Sequence, residues 1–210
     1  MATEVSICNQ AISWLAGNRI ISLNDETTEA RLCKDNYAHL RDVVLEERDW
    51  SFARARIQFA RLAEDPLYGF SAAFAIPNDV ISVLQATRGP EAGDASAGST
   101  GPGFSRENLR NGKEQRIIWQ VEGNTIVCDE SNLVGRVTKR IVDPSKFSPG
   151  FVQALAARIA REIALPLTQS QTMEDKMKAK YTESIAEAGT SDGIQGTSNK
   201  IRSDALTRVR

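Results

Sequence analysis

The sequence of 210 residues is poor in the side chains from which most small catalytic and metal sites are built. It contains one histidine, His39, and three cysteines, Cys8, Cys33 and Cys128, that lie far apart and form no CxxC pair. A disulfide framework and a zinc site are therefore not expected, and we interpret the cysteines as small buried apolar side chains. A histidine-based catalytic triad would have to be built around His39 alone. The sequence offers no catalytic signature, and we expect that the protein is not an enzyme.

Excess charge and long apolar runs are also missing. Lysine and arginine number 26 against 27 aspartates and glutamates, so the net charge of −1 provides no overall field to attract nucleic acid or an anionic membrane. No apolar run approaches the roughly 20 residues of a membrane-spanning helix, and the first residues lack the basic flank of a signal peptide. We therefore expect no membrane contact, no cofactor, and synthesis in a cytosol.

Helical periodicity dominates the first fifty residues. One apolar stripe predicts a helix that Gly17-Asn18 ends with a positive φ angle, and a second stripe predicts a helix that begins near Asn24 or Asp25. Acidic residues outnumber basic ones here by nine to five, which favours a solvated helix face or, as an alternative, a surface that repels DNA. The two stripes consist of Val5, Cys8, Ile12 and Leu15, and of Ala30, Cys33, Tyr37, Leu40 and Val44.

The middle of the chain changes to an alternation of two residues with frequent turn residues, which predicts antiparallel strands. The clearest element is a hairpin around Glu122-Gly123-Asn124. Together these strands predict a small β domain over residues 51–145. The individual strands are expected over residues 52–61, 70–76, 80–87, 116–121, 125–129 and 133–142.

A glycine-rich stretch interrupts this β domain. Residues 88–115 have almost no apolar side chains, which is typical of a flexible loop. The spacing of its glycines from Lys113 does not fit a Walker A motif. The loop is either a contact loop, with Phe104 and Arg106 as candidate contact residues, or an extension without a partner.

Helical periodicity returns after residue 146. Ser148 as N-cap and Pro149 as the first helical residue predict a helix that Leu165-Pro166-Leu167 ends, and another helix is expected from about Gln169. Because both helices need an apolar partner surface, we predict an α+β fold in which residues 1–50 and 146–188 form a helical bundle with the β domain inserted. The stripes consist of Phe151, Leu155, Ile159 and Ile163, and of Met173, Met177, Tyr181 and Ile185.

The last segment, residues 189–210, is polar, and its apolar side chains are too sparse to form a core. We predict an extended C-terminal arm that binds a partner protein or a neighbouring copy of the chain. The candidate binding residues are Ile194, Lys200, Ile201, Arg202, Leu206, Arg208, Val209 and Arg210.

Several short sequence motifs, which we call words, occur along the chain in an order that resembles the tail tubular protein A family of short-tailed bacteriophages. The resemblance covers residues 1–80 and 133–188 as a pattern of spacings, without a catalytic signature. The words are Asn9-Gln10-Ala11, residues 20–30 (IISLNDETTEA), Cys33 and Tyr37, residues 41–45 (RDVVL), residues 49–53 (DWSFA), Ile76-Pro77-Asn78-Asp79, and Phe151, residues 154–157 (ALAA), Ala160, residues 165–168 (LPLT) and Tyr181.

The resemblance implies a structural protein of the virion, located at the head-tail junction after synthesis in the host cytoplasm. Such an adaptor forms a dodecameric ring that joins the portal protein to the tail nozzle protein. The ring encloses part of the channel through which DNA passes during ejection, without sequence-specific binding. In this setting the arm at residues 189–210 is expected to contact the portal. An acidic channel wall would not bind the phosphates of the passing DNA.

Two other classes of protein are weighed against an adaptor. A hydrolase could use neighbouring carboxylates such as Glu46, Glu47 and Asp49, but adjacent acids after a helix are usually solvated. An oligomeric scaffold or interaction module unrelated to virions is the stronger alternative.

Overall fold

The computed structural model of the chain describes residues 2–89 and 117–193. These residues form four α-helices and six β-strands, with short 3-10 turns at Ser51–Ala53 and Pro144–Lys146. The helices are α1 (Glu4–Trp14), α2 (Thr28–Glu47), α3 (Pro149–Thr168) and α4 (Gln171–Gly193). The strands are β1 (Arg54–Arg61), β2 (Ala72–Ala75), β3 (Val80–Arg88), β4 (Trp119–Glu122), β5 (Thr125–Cys128) and β6 (Leu133–Lys139).

The chain divides into two compact units, and α2 contributes to both. One unit comprises Met1–Glu4 and Asp35–Phe147, and contains all six strands. The other comprises Val5–Lys34 and Ser148–Arg210, and contains α1, α3 and α4. We call them the sheet unit and the helical unit.

The strands form one antiparallel sheet in the order β3-β6-β1-β2-β5-β4. The sheet is nearly closed and barrel-like. Its longest register joins β1 to β6, with Arg54 opposite Thr138 and Phe59 opposite Leu133. One face of the sheet packs on itself as an apolar core. The buried members of this core are Phe59, Ala72, Phe74, Ile76, Ala86, Ile126, Cys128, Leu133 and Val137.

The predicted helical bundle with a small inserted β domain is therefore wrong, although the α+β class is right. The six strands bury a core of their own, so the sheet is a principal part of the fold and needs no bundle to complete it. Alternation along the chain locates each strand, but the size of the sheet depends on pairing between distant strands such as β1 and β6.

The predicted stripe of the second helix is confirmed, because all five of its residues are buried. Of the first predicted stripe, Cys8, Ile12 and Leu15 are buried, whereas Val5 is only half-buried. Ile7, which the stripe did not include, is fully buried as well. The predicted ends of these helices need correction, because other residues make the turns. The positive φ angle after α1 belongs to Ala16, at 56°. A Cβ atom on Gly17 would lie 2.9 Å from Cγ2 of Ile12, so this glycine allows a close approach of the chain.

The start of α2 lies later than predicted. Asp25 organises the preceding turn instead, because its Oδ2 accepts hydrogen bonds from the backbone N–H groups of Ile21 and Ser22, at 2.9 and 3.1 Å. Thr27 occupies the N-cap position, where its Oγ1 accepts from the Ala30 N–H at 3.3 Å. The helix then runs from Thr28 to Glu47.

The two C-terminal helices pack against each other as an antiparallel hairpin. The Ser148 side chain accepts from the Phe151 N–H at 3.3 Å, as an N-cap should. Pro166 does not end α3 as predicted, because a proline in the last turn leaves the following residues helical as far as Thr168. At the other end of the hairpin, a Cβ atom on Gly150 would lie 2.9 Å from that of Ala188.

Candidate functional site

All the candidate contact residues predicted from the sequence lie outside the described residues. They are Phe104 and Arg106 in the glycine-rich loop, and Ile194, Lys200, Ile201, Arg202, Leu206, Arg208, Val209 and Arg210 in the predicted arm. The helix α4 continues to Gly193, past the predicted start of the arm at residue 189. The search for a functional surface therefore turns to other side chains.

A network of ion pairs joins α2 to the turn before β3. The Asp42 carboxylate accepts from Arg41 Nη2 at 2.7 Å through Oδ1 and from Arg140 Nε at 2.9 Å through Oδ2. Arg140 also donates from Nη1 to the Asn78 carbonyl at 3.2 Å and from its backbone N–H to the Asp79 carbonyl at 2.7 Å. We call this network the Asp42 clamp. It fixes the end of β6 to two parts of the chain that are distant in sequence.

Asp79 adds a second ion pair beside the clamp. Lys139 Nζ lies 2.7 Å from Asp79 Oδ2. The hydrogen bond from Lys139 lowers the pKa of the Asp79 carboxyl below its ordinary value, with a smaller contribution from the charge of Arg140. The turn before β3 is thus held in place by side-chain charge as well as by backbone hydrogen bonds.

The carboxylates considered as hydrolase candidates lie at and just after the end of α2 in different surroundings. Glu46 and Glu47 are exposed at the end of α2, whereas the Asp49 carboxylate accepts from Arg54 Nε. The segment instead has a structural aromatic residue, because buried Trp50 donates from Nε1 to the Val44 carbonyl at 2.7 Å. The local chemistry is that of a helix end.

The three cysteines are free and buried, as predicted. Cys8 and Cys33 meet between α1 and α2, and the hydrogen bond with Cys8 lowers the pKa of the Cys33 thiol against the opposing effect of burial. Burial raises the pKa of the Cys128 thiol in the sheet core. Their packing is that of small apolar side chains.

Exposed apolar side chains gather at one end of the sheet. This end, where β1 finishes and β2 begins, includes the connecting loop at residues 62–71 and the residues just before β4. Leu67 and Tyr68 at the tip of the loop are 101% and 88% exposed, and Ile118 is 77% exposed. Together with Leu62 they account for four of the eight large apolar side chains exposed in the described part of the chain. We call this region the loop end.

The base of the loop is fixed although its tip is exposed. The Leu62 N–H donates to the Ala73 carbonyl at 2.8 Å, and the Ser71 N–H donates to Asp129 Oδ1 at 3.0 Å. Gly69 has a φ angle of 87°, which turns the chain back toward β2. A fixed loop that holds apolar side chains in solvent is typical of a protein contact surface. The sequence signal is the apolar pair Leu67-Tyr68 between Pro66 and Gly69, which are turn residues, and this pair was not used in the sequence analysis.

Other classes of site find no support in the part of the chain that the structure describes. Residues 2–89 and 117–193 contain no group of three or more histidine, cysteine or acidic side chains that could hold a metal ion. In the same residues, no helix combines the length and apolar character needed to cross a bilayer. Comparison with protein-family models gives no match, and comparison with curated proteins gives no significant match.

Proposed function

We propose that the protein is a head-to-tail adaptor of a short-tailed bacteriophage, a structural virion protein whose ring joins the portal protein to the tail nozzle protein. In this role the ring encloses part of the channel through which DNA leaves the head. The proposal rests on the residue words that resemble tail tubular protein A and on the places these residues take in the fold.

The observation that carries the proposal is the Asp42 clamp. Arg41-Asp42 and Asn78-Asp79 belong to two words of the resemblance that are separated by more than thirty residues. Arg140 binds the side chain of Asp42 and the backbone of the second word. The separate words thus take part in one contact, which supports their interpretation as parts of one structural pattern.

The presence of two different structural units in one chain also suits an adaptor. A closed ring needs two unlike surfaces on each subunit, so that one copy contacts the next without a twofold axis. A sheet unit with an apolar loop end and a separate helical unit offer surfaces of different character. Attachment would gain strength from repetition, because many weak contacts around a ring raise the effective concentration of each one.

The test is assembly with the portal protein encoded in the same genome. We expect the purified full chain, mixed with portal rings, to form a closed ring on one end of the portal in negative-stain electron micrographs. A chain that forms a stable small dimer and leaves the portal rings bare would contradict the proposal. That result would favour the alternative, an oligomeric scaffold unrelated to virions.

A further inference from the structure

The loop end carries a local excess of negative charge. Four acidic side chains lie in its loop and in the neighbouring turn between β5 and β6, and two ion pairs leave two of these acids without a cationic partner among the described residues. These two are the exposed Glu64 and Asp129, and Asp129 accepts the Ser71 N–H at 3.0 Å. The apolar tip Leu67-Tyr68 is therefore bordered by negative charge. The ion pairs join Arg61 to Asp65, and Arg88 to Glu130.

Two long stretches of the sequence lie outside the described residues, and their charges differ. Residues 90–116 carry four acidic and four basic side chains, so their net charge is zero. Residues 194–210 carry four basic side chains and one acidic side chain, Asp204, which gives a net charge of +3. Because opposite charges guide a protein contact, residues 194–210 are the better complement of the loop end.

The basic side chains of residues 194–210 stand next to apolar ones. Lys200-Ile201-Arg202 and Arg208-Val209-Arg210 each place one apolar side chain between two basic ones. We call these the basic triplets. The loop end has the opposite arrangement, because the exposed pair Leu67-Tyr68 lies among acids. The two patterns match each other in apolar character and are opposite in charge.

We propose that the loop end binds residues 194–210 of a second copy of the chain. The apolar side chain of a basic triplet covers Leu67, one flanking cation pairs with Glu64, and the other packs on the Tyr68 ring. Fully extended, residues 194–210 span at most about 60 Å, which is enough to reach beyond the surface of their own copy. A neighbouring copy is one of the two partners that the sequence predicts for this segment.

The contact is heterologous, because the loop end and the basic triplets are different parts of the chain. It can therefore repeat from copy to copy, each chain giving its segment to the next. That the segment comes from a neighbouring copy, and that the repetition closes into a ring, rests on the proposed adaptor function.

The test is chemical cross-linking between two full-length variants that each carry one new cysteine. Ala63→Cys places a thiol in the exposed loop, next to Glu64 in the sequence, and Ser203→Cys places one next to the first basic triplet. The native cysteines are buried and should not react. We expect a short bismaleimide to join the two variants into a heterodimer, identified by mass spectrometry of the linked peptides.

Substitutions test which side chains make the contact. In the chain that carries the loop-end cysteine, Leu67→Ser with Tyr68→Ser should lower the yield of heterodimer at least about tenfold. Glu64→Lys in that chain should lower the yield about threefold. Adding Arg202→Glu to the other chain should then restore the yield to within about twofold of wild type, because the charges are exchanged.

Two controls separate binding from folding. Ile21 is 91% exposed in the helical unit, so Ile21→Ser removes another exposed apolar side chain and should leave the yield unchanged. Circular dichroism spectra equal to wild type exclude unfolding as the cause of a lower yield.

Three results would overturn the inference: a yield that the loop-end substitutions leave unchanged, no heterodimer at a chain concentration on the order of 100 μM, or cross-linking of the Ala63→Cys chain only to itself, which would mean that two loop ends meet. Wild-type rings that form on the portal while no heterodimer forms would overturn this inference alone and leave the adaptor proposal standing. Portal rings that stay bare while the heterodimer forms would overturn the adaptor proposal and leave the docking contact standing.

Discussion

At the scale of the residue, the carboxylate of Asp42 forms ion pairs with two arginines at once. It pairs with Arg41, which is only 6% exposed, and with Arg140, so its removal leaves a nearly buried guanidinium without its charge partner. We expect Asp42→Ala to lower the free energy of unfolding by about 2–4 kcal/mol, measured by urea denaturation. The matched control is Asp35→Ala, an exposed acid on the same helix, which should change stability by less than about 0.5 kcal/mol. Equal stability of the two variants would contradict the importance of the clamp.

Asp79 gives a prediction about pH. Because Lys139 lowers its pKa in the folded state, the pair stabilises the fold fully at pH values above the ordinary carboxyl pKa, and this stabilisation is lost as the pH falls through the lowered value. A carboxyl titration by nuclear magnetic resonance should give Asp79 a midpoint below the ordinary value of an aspartate carboxyl. Lys139→Met should move the Asp79 midpoint back up. An Asp79 midpoint unchanged by that substitution would show that Lys139 is not the cause.

The limits of sequence reasoning at this scale are visible at the helix ends. Most positions of the stripes were predicted correctly because side chains three and four residues apart share a face. The ends were not, because several residues near each end have capping chemistry and only the three-dimensional contacts select one. Asp25 could have capped α2, but it binds the turn at Ile21 and leaves the N-cap position to Thr27.

At the scale of the element, Gly135 is essential to strand β6. A Cβ atom at this position would meet the Gln85 carbonyl oxygen of β3 and would lie 2.8 Å from Cε2 of Phe59 in β1. We expect Gly135→Ala to destabilise the sheet unit by about 2 kcal/mol, because neighbouring strands must move apart. Val134→Ala, at the adjacent half-buried position, should cost only about 1 kcal/mol. Thermal unfolding followed by circular dichroism would compare the stability of the two variants. Equal losses of stability would contradict the close approach of β1 and β3 to Gly135.

In helix α3, the same substitution can be compared at a buried leucine and at an exposed one. Leu155 is fully buried, whereas Leu165 on the same helix is 45% exposed. Leu155→Asp places an unpaired charge in the core and should cost about 4 kcal/mol or more, enough to unfold the helical unit. Leu165→Asp keeps its charge in water and should cost less than about 1 kcal/mol. A normal melting curve for Leu155→Asp would mean that the register of α3 is wrong.

For whole elements, the sequence predicted well which helices and strands exist and predicted poorly where each of them ends. The β4–β5 hairpin was predicted because Glu122-Gly123-Asn124 is typical of a short glycine-containing turn. In the structure Gly123 adopts a φ angle of 59°, as such a turn requires. The end of α3 was misplaced because Pro166 lacks only one backbone donor, and the last turn tolerates that loss. Local signals of this kind do not measure how strongly the surrounding packing holds a turn.

At the scale of the whole molecule, the missing information was the pairing of distant strands. The pairing of Arg56 with its neighbour Arg136 spans eighty residues, and no local pattern specifies it. The same applies to the Asp42 clamp, whose partners are 98 residues apart. The loop end was overlooked because an exposed apolar side chain and a buried one look alike in a sequence.

The predicted C-terminal arm leads to a prediction about attachment. Since α4 extends to Gly193 and Ala188 is buried against Gly150, a truncation must begin after residue 193 to leave the helical hairpin intact. Deleting residues 194–210 should leave the melting temperature unchanged, because the helical stripes lie upstream. If the arm binds the portal, as the adaptor proposal holds, the apparent affinity for portal rings in co-sedimentation should fall at least about a hundredfold, because the truncation removes one weak attachment from every copy in the ring.

A substitution of Lys200 and Arg202 by glutamine is the milder companion variant and should give an intermediate loss. Unchanged binding by the truncated chain would assign portal attachment to another part of the protein.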